Sequence, residues 1–560
     1  MVRIATAVDK KNVEDIIRET EINYYCLPTF QRDFVWDEDD IKEFIDSIIK
    51  GCPIGSIILW RPSREFYKND PFTRSLIGSP ENAENKDIYY VIDGQQRLTS
   101  LLLLFNNWKI KRDDEEIAKS PISIVVGKDS YRLYKSEKKG TNLYEAIKAF
   151  ASNPAMRDYE IQRKIERQLS SEAQEMLYKI IGKILSYEIP IYILRTTHED
   201  ETTFSEMAEA FTRVNKAGVR IGNVELMLSF IAGRIRGPLK NEIISIYKNL
   251  EAFKIDLQPI IRCVLSQFEI PQTDITKVKQ FDRVIDRILS IPEKEILARL
   301  ADARNSLQLA VNFLGERLGI KDTRILPSQV PIITIARYFS SNGITNLSQL
   351  DERSLELIET WFVLVNFNGY YSSNTDTKLE SDLKIVKERG SFPFEELLEN
   401  IERRRARVKI GRKDLEEGLR INVLRGRVGK SYLFLLYILL IKNEADDWTN
   451  RKIRERDFDD LAKHHIFPRE FLLKNLEIED ENPDIYVNNI GNITFIDKSL
   501  NSEIGDSDPI YLRNHSLSLE RHFIPREENL WKIDTYEAFL KSRITMIHTK
   551  AKEVYPHIFE

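Results

Sequence analysis

Two short segments near the C-terminus constrain the fold more than any other part of the chain. The first carries the paired histidines His464 and His465, followed by Ile-Phe and then Pro468. Proline has no backbone N–H to give to a sheet, so it ends the extended segment there. The second segment begins at Asn492 and continues Ile-Thr-Phe-Ile, a β-branched and aromatic run that predicts another strand. A small two-stranded unit is therefore expected.

A short helix is predicted directly after the second strand. Asp497 precedes Lys-Ser-Leu and Asn501, and its carboxylate can cap the helix N-terminus. Strand, strand and helix would bring His464, His465 and Asn501 to one pole. There one imidazole can take a proton from water, while a second imidazole and an amide oxygen hold a divalent ion beside a phosphate. The alternative is two ordinary strand histidines, one buried and one solvated.

This arrangement resembles the HNH, or ββα-metal, nuclease family, and its His-His-Ile-Phe-Pro and Gly-Asn-Ile-Thr pieces are similar to the DUF1524 branch. The resemblance implies that His465 is the general base. It implies His464 and Asn501 as metal ligands, and Asn492 as the residue that braces the loop. Many HNH sites have Asp where His464 stands. Since imidazole suits Mn²⁺ better than Mg²⁺, the choice among Mg²⁺, Mn²⁺ and another divalent cation stays open.

Composition excludes several classes of protein. At 560 residues, with 42% hydrophobic and 31% charged residues, the chain is typical of a soluble globular protein of about three domains. We find no signal peptide and no apolar run long enough to span a bilayer, so we expect a cytoplasmic protein with no membrane partner. The cysteines lack metal-ligand spacing. The net charge of −5 offers no global attraction for nucleic acid, so DNA contacts must come from local patches.

The strongest basic run extends from Arg403 to Lys430 and shortly precedes the paired histidines. One interpretation is a surface that binds DNA phosphates, and the other is an exposed charged helix. The DNA-binding candidates within this run are Arg403, Arg404, Arg405 and Arg407.

A second candidate site lies near the start of the chain. A β-rich run ends at Asp93 and Gly94, and a leucine-rich helix begins at once. The helix N-terminus and the guanidinium of Arg97 can bind phosphate oxygens. Gln95 and Gln96 can donate or accept hydrogen bonds, and Asp93 can hold a nucleotide-bound Mg²⁺. The alternative is an ordinary helical turn in which Asp93 and Arg97 pair with each other.

Four motifs in one order, at residues 28–36, 53–56, 93–97 and 211–219, are similar to the DUF262 family. That family is the amino-terminal half of GmrSD-type, modification-dependent restriction enzymes and resembles the ParB/sulfiredoxin nucleotide-binding fold. The resemblance implies hydrolysis of a nucleoside triphosphate, ATP or GTP, at the box from Asp93 to Arg97. It also implies assistance from Gln31, Arg32 and Asn215.

These observations predict an α+β multidomain protein. We expect a ParB/sulfiredoxin-like α/β domain over residues 1–235, a helical middle over 236–402 and a ββα-metal nuclease domain over 403–560. The resemblance implies a nucleotide-regulated, metal-dependent DNA endonuclease or nickase of a prokaryotic anti-phage defence system that senses modified phage or foreign DNA. A ParB-like DNA-binding protein with a degenerate nuclease site, and a toxin-like nuclease without modification sensing, are the two rivals. A homo-oligomer stays open.

Helical periodicity predicts further helices over residues 7–20, 296–318, 354–367, 431–441 and 536–554. His522 lies in a segment that echoes the first His-Ile-Phe-Pro motif. It lacks a paired histidine and a following Gly-Asn strand, so we interpret it as a structural residue or a substrate contact.

Overall fold

The computed structural model describes residues 4–27, 34–61, 74–79, 83–113, 115–135, 140–151, 157–196, 245–277, 280–387, 390–475 and 484–560. Contacts between Cα atoms divide the chain into two units: Met1–Lys240 with Thr276–Asp286, and Asn241–Ile275 with Arg287–Glu560. The described residues form a mixed α+β structure, which agrees with the predicted class at that level. Gln31, Arg32 and Asn215 lie outside the described residues. The boundaries at 235 and 402 stay predictions.

Strands dominate the centre of the first unit. They are β1 (Ile4–Asn12), β2 (Tyr24–Leu27), β3 (Ile57–Arg61), β4 (Arg74–Ser75), β5 (Ile88–Asp93), β6 (Lys109–Arg112), β7 (Glu115–Ala118), β8 (Ile122–Val126), β9 (Tyr131–Lys135), β10 (Thr141–Asn142) and β11 (Glu188–Thr196). A six-stranded sheet has the order β1-β11-β3-β5-β2-β4 in the described residues. It is mixed, because β11 and β3 are parallel whereas β3 and β5 are antiparallel.

The helices described in this part of the chain are α1 (Val13–Ile22), α2 (Glu38–Lys50), α3 (Gln95–Phe105), α4 (Leu143–Phe150), α5 (Tyr159–Gln168) and α6 (Ser171–Ser186). The predicted helix over residues 7–20 is wrong in its first half. Its residues up to Asn12 belong to β1, which pairs with β11 along its whole length. The helix starts only at Val13, because the Asn12 side chain accepts a hydrogen bond from Asp15 N and caps it.

The turn between β5 and α3 positions the first candidate site. Strand β5 is buried up to Ile92, and α3 begins two residues after Asp93. Gly94 between them has a φ of 93°, and a Cβ there would lie 3.3 Å from the Cα atom of Ile57. Glycine therefore lets the turn approach β3 closely, and the N-terminus of α3 lies beside the Asp93 carboxylate.

Helices dominate the second unit, and the helix over Phe281–Leu289 crosses the boundary between the units. In chain order they are α7 (Leu257–Gln267), α8 (Gln272–Ile275), α9 (Phe281–Leu289), α10 (Glu293–Leu318), α11 (Pro331–Ser341), α12 (Glu352–Phe367), α13 (Thr375–Lys387), α14 (Phe394–Arg403), α15 (Arg412–Glu416), α16 (Gly426–Lys442), α17 (Arg469–Asn475), α18 (Asp484–Val487), α19 (Lys498–Ile504) and α20 (Tyr536–Val554). Two strands, β12 (Leu461–His465) and β13 (Ile493–Asp497), lie between them.

The interpretation of the basic run as one exposed helix is wrong. Helix α14 ends at Arg403, α15 is short, and α16 begins at Gly426. Arg405 and Gly426 have φ values of 60° and 70°, a left-handed conformation that interrupts a helix. The predicted buried helix over 431–441 is confirmed within α16, and the final helix is confirmed as α20. No helix in the described part of the chain combines the length and apolar character that crossing a bilayer requires.

A buried arginine ties α20 to the strand pair. Arg543 is fully buried, and its guanidinium donates to the carbonyl oxygens of Ile490, Ile493 and His522. Burial lowers the pKa of Arg543 to about 9. The arginine thus joins α20 to the segments that carry Ile490, Ile493 and His522.

Replacing Arg543 by Met should lower the free energy of unfolding by about 3 kcal/mol or more, because it leaves buried carbonyl groups without donors. Urea unfolding measures the change. Lys541→Met, at an exposed position of the same helix, is the matched control. A loss as small as that of the control would show that the carbonyl groups find other donors.

Candidate nuclease site

The predicted strand–strand–helix order near the C-terminus is confirmed. Strands β12 and β13 are antiparallel, with His464 opposite Thr494 and His465 opposite Ile493. Asp497 ends β13 and caps α19, since its carboxylate accepts hydrogen bonds from the backbone N–H groups of Ser499 and Leu500. Consecutive strand residues point to opposite faces, so the two histidines have different neighbours.

His464 contacts the residue predicted to share a metal with it. Its ring is buried, with Nδ1 2.8 Å from Oδ1 of Asn501 and Nε2 2.7 Å from the hydroxyl of Tyr511. The Tyr511 hydroxyl lies 2.8 Å from the carbonyl oxygen of Ile466, to which it donates. The single phenolic hydrogen is then used, so Nε2–H of His464 donates to the Tyr511 oxygen. The Nδ1 lone pair therefore faces the Asn501 amide oxygen.

This donor set fits a cation. His464 Nδ1 and Asn501 Oδ1 would then face each other with lone pairs at 2.8 Å, and they repel each other unless a positive charge lies beside them. The repulsion is also removed if the Asn501 amide is flipped, so that its NH₂ group faces Nδ1. Burial lowers the pKa of His464 to about 3, so the ring is neutral, which is the form that ligates metals. No cluster of three or more His, Cys, Asp or Glu side chains suited to a metal occurs among the described residues. A divalent ion on His464 and Asn501 would therefore take its other ligands from water or a phosphate.

His465 is held by a residue that the sequence analysis did not assign. Its Nε2 lies 2.8 Å from Oδ1 of Asn488. With the amide oxygen facing the ring, Nε2 carries the hydrogen and Nδ1 presents its lone pair. Burial lowers the pKa of His465, so the ring is a free base near neutral pH. The backbone of Asn488 is fixed in turn by hydrogen bonds to Val423 and Asp484.

Asn492 connects the loops on either side of the strands. Its fully buried amide accepts from Phe467 N at 2.8 Å and donates to the carbonyl oxygens of Phe467 and Val487 at 3.0 Å each. The side chain thus fixes the loop after β12 against the end of α18. This geometry agrees with the bracing role that the resemblance implies.

His522 is a structural residue by its contacts. The ring is fully buried, Nε2 lies 2.6 Å from the carbonyl oxygen of Asp446, and Nδ1 lies 2.7 Å from the Thr494 hydroxyl. Burial lowers the pKa of His522 to about 4. Trp448 packs edge-on against His522 and His464, with its ring centroid 5.5 Å from that of His522 and 5.3 Å from that of His464.

In the first unit, the predicted phosphate box forms a pocket of about 520 Å³. Arg97 pairs with Asp93 at 3.1 Å, as predicted by the alternative of an ordinary helical turn. Arg97 also donates to the Ile54 carbonyl oxygen at 2.9 Å. Gln96 accepts from the backbone N–H groups of Val35 and Trp36. Gln95 lines the pocket and is buried, yet neither atom of its amide has a hydrogen-bond partner in the described part of the chain. An unsatisfied buried amide at a pocket wall is the kind of group that a ligand satisfies.

Of the predicted DNA-binding arginines around the end of α14, Arg403, Arg405 and Arg407 are exposed and Arg404 is half-buried. Arg403 pairs with Glu399 at 2.8 Å, Arg407 pairs with Asp414, and Arg404 lies 3.4 Å from the Thr377 carbonyl oxygen. Nearby carboxylates offset two of these charges. Their role in DNA binding stays a prediction.

If Asn488 sets the proton on His465, changing it should move the pKa of His465 in a defined direction. Asn488→Asp places a carboxylate beside the ring and should raise this pKa, because the imidazolium gains a partner. Asn488→Ala removes the acceptor and should lower it. Histidine-selective NMR titration measures both changes.

Asn475→Asp, the same substitution at an exposed position of α17, is the matched control. Equal titration curves for His465 in wild type and in both Asn488 variants would exclude this role for Asn488.

Two family models and one curated protein match this chain. Residues 13–232 match the family model described as "GmrSD restriction endonuclease, N-terminal domain". Residues 419–543 match the model described as "GmrSD restriction endonucleases, C-terminal domain". An uncharacterized protein of Methanocaldococcus jannaschii, MJ0686, is 25% identical over 544 residues, which cover 90% of this chain and 86% of that protein. The two domain matches, in their natural order, support the GmrSD-type restriction endonuclease family for this chain.

Proposed function

We propose that the chain is a nucleotide-regulated, metal-dependent DNA endonuclease or nickase that acts on modified DNA in prokaryotic anti-phage defence. The family matches indicate a restriction-type nuclease with DNA as its partner. The observation that carries the finer proposal is the contact of His464 Nδ1 with Asn501 Oδ1, made by the residue that directly precedes the free base His465 in β12. In an HNH-type site such a ligand pair would hold the metal, and the adjacent histidine would act as the base.

The chain's own residues supply the proton transfer. Nδ1 of His465 takes a proton from water, the water oxygen attacks phosphorus, and the P–O bond to the leaving strand breaks. Asn488 holds the imidazole in the tautomer that this step requires. Tyr511 orients His464, and Asn492 fixes the loop on which both histidines depend. A divalent ion, Mg²⁺ or Mn²⁺, bound by His464 and Asn501 would supply positive charge against the phosphate.

The pocket in the first unit supports nucleotide control. The α3 N-terminus, the Arg97 guanidinium and the unsatisfied Gln95 amide can together bind phosphate and a polar edge of ATP or GTP. Ligand phosphates would compete with Asp93 for Arg97, so binding would change the Asp93–Arg97 pair. That change is a local switch through which nucleotide state can act.

Two rival functions make different predictions. A ParB-like DNA-binding protein with a degenerate nuclease site would not nick plasmid DNA with any metal. A toxin-like nuclease would cut modified and unmodified DNA equally. The direct test is cleavage of a panel of modified phage DNAs with Mg²⁺ or Mn²⁺, with and without nucleotide.

His465→Ala should reduce DNA cleavage by roughly 10²–10⁴-fold, the usual contribution of a general base, and leave nucleotide hydrolysis intact. Plasmid nicking and phosphate release measure the two activities. His548→Ala, at a half-buried position of α20, is the control. Cleavage within about tenfold of wild type would remove His465 from this role.

His464→Ala and Asn501→Ala should each raise the Mn²⁺ concentration needed for half-maximal cleavage by more than about tenfold. The reason is that losing even a residue that only hydrogen-bonds to a metal ligand lowers metal affinity by about tenfold or more. Excess EDTA should stop the reaction, and added Mn²⁺ should restore it. Asn475→Ala is the control for the amide. Full activity in excess EDTA would contradict a metal-dependent mechanism.

Arg97→Ala should abolish nucleotide hydrolysis and also remove the response of nicking to nucleotide. The reason is linkage: if nucleotide changes the affinity for DNA, DNA must change the affinity for nucleotide by the same factor. Nicking is compared with and without nucleotide, with Arg18→Ala, an exposed arginine of α1, as the control. A variant that hydrolyses no nucleotide and still nicks with the wild-type nucleotide response would exclude the coupling.

A further inference from the structure

The second unit contains a polar pocket of about 500 Å³ on which four helix N-termini converge. Its wall includes Gln258 and Pro259 from the first turn of α7, and Val330 directly before α11. The other two helices contribute their first residues as well. The lining residues are Thr375 and Asp376 from α13, and Arg427 and Lys430 from α16.

Side chains leave most of these helix ends uncapped. The N-cap residues of α7, α11 and α16 make no side-chain capping hydrogen bond. The positive ends of the four helix dipoles therefore lie at one cavity, although the helices come from distant parts of the chain. Each of the four has at least eleven residues, so each carries a full terminal dipole.

Cationic side chains add to this potential. Lys430 makes no ion pair in the described part of the chain, and burial lowers its pKa. Arg427 lies at the wall and donates to the Ser372 carbonyl oxygen at 3.0 Å. Arg262 is buried and pairs with Asp376 at 2.6 Å, but its Nε has no hydrogen-bond partner among the described residues.

Two carboxylates also line the pocket, and they do not cancel its charge. Asp376 is neutralised by Arg262. The remaining charges in the lining are the one carboxylate of Asp256 and the two cations of α16, Arg427 and Lys430, which give an excess of positive charge. The four helix N-termini add positive potential to this excess.

Hydrogen bonds fix the shape of the pocket in advance. The Gln329 side chain accepts from Asp256 N at 2.8 Å, and the Asn366 side chain accepts from Ser328 N at 3.0 Å. These contacts hold the segments before α7 and α11 in place. Because the cavity is rigid and its donors are not neutralised, the protein needs little reorganisation when an anion binds.

We infer that this pocket binds a phosphorylated ligand, with its phosphate at the N-terminus of α16 between Arg427 and Lys430. The inference does not depend on nucleotide binding in the first unit. A nucleotide of the DNA strand and a free nucleotide would both present the same phosphate chemistry to this pocket. Either source would give the second unit its own phosphate contact, apart from the pair His464 and Asn501.

The test measures binding of radiolabelled pyrophosphate to the full chain by equilibrium dialysis. Arg97→Ala provides a background in which the first pocket has lost its guanidinium. In that background one pyrophosphate site should remain. Lys430→Gln and Arg427→Gln should each weaken it by about tenfold or more, the usual loss for a charge-assisted contact. Lys413→Gln, an exposed lysine of α15 outside the pocket, should leave it unchanged.

Thermal unfolding of each variant shows whether it has folded. Absence of pyrophosphate binding in the Arg97→Ala protein would overturn the inference. Unchanged affinity in both α16 variants, relative to the Arg97→Ala protein without them, would overturn it as well. If wild type and Arg97→Ala bind the same number of pyrophosphates while Lys430→Gln loses one, this pocket is supported and the proposed nucleotide site in the first unit fails. Displacement of the label by a single-stranded oligonucleotide assigns the phosphate to DNA, and displacement by ATP alone assigns it to a free nucleotide.

Discussion

A pair of short strands cannot hold reacting groups in place without outside support, because an isolated two-stranded sheet is marginally stable in water. The candidate nuclease site therefore depends on buried polar contacts around β12 and β13. Asn492 joins the loops at their ends, and Arg543 satisfies the carbonyl group of Ile493. Arg456 pairs with Asp447 and Asp497 and so connects the segment before β12 to the cap of α19. These contacts set the positions of His464 and His465.

Much of this unit could be predicted from local sequence. The β-branched run, the proline after the histidines and the Asp497 cap each act within a few residues, so pattern alone indicates strand, strand and helix. Asn488 and Tyr511 were missed because their roles depend on contacts with the histidine rings across 23 and 47 residues. Asn488 lies four residues before Asn492 in the same motif, and that proximity was the available signal.

Tertiary pairing explains the main error near the N-terminus. Residues before Asn12 were predicted as helix, and they form an edge strand because β11, far along the chain, pairs with them. The polar pocket of the second unit was not predicted for a similar reason. Its four helix ends lie between residues 257 and 426, and only the fold brings them together. Each pocket is lined by a buried group that has no hydrogen-bond partner among the described residues: the Gln95 amide in one and Nε of Arg262 in the other.

The contact of Arg543 with Ile493 has a consequence for biosynthesis. The two residues are 50 positions apart, so β13 leaves the ribosome well before the guanidinium that its carbonyl group needs. During that interval the strand pair lacks a buried donor and the C-terminal helix that covers it. A nascent chain should therefore hold its histidines in an incompletely folded unit, and nuclease chemistry would begin only after α20 has docked.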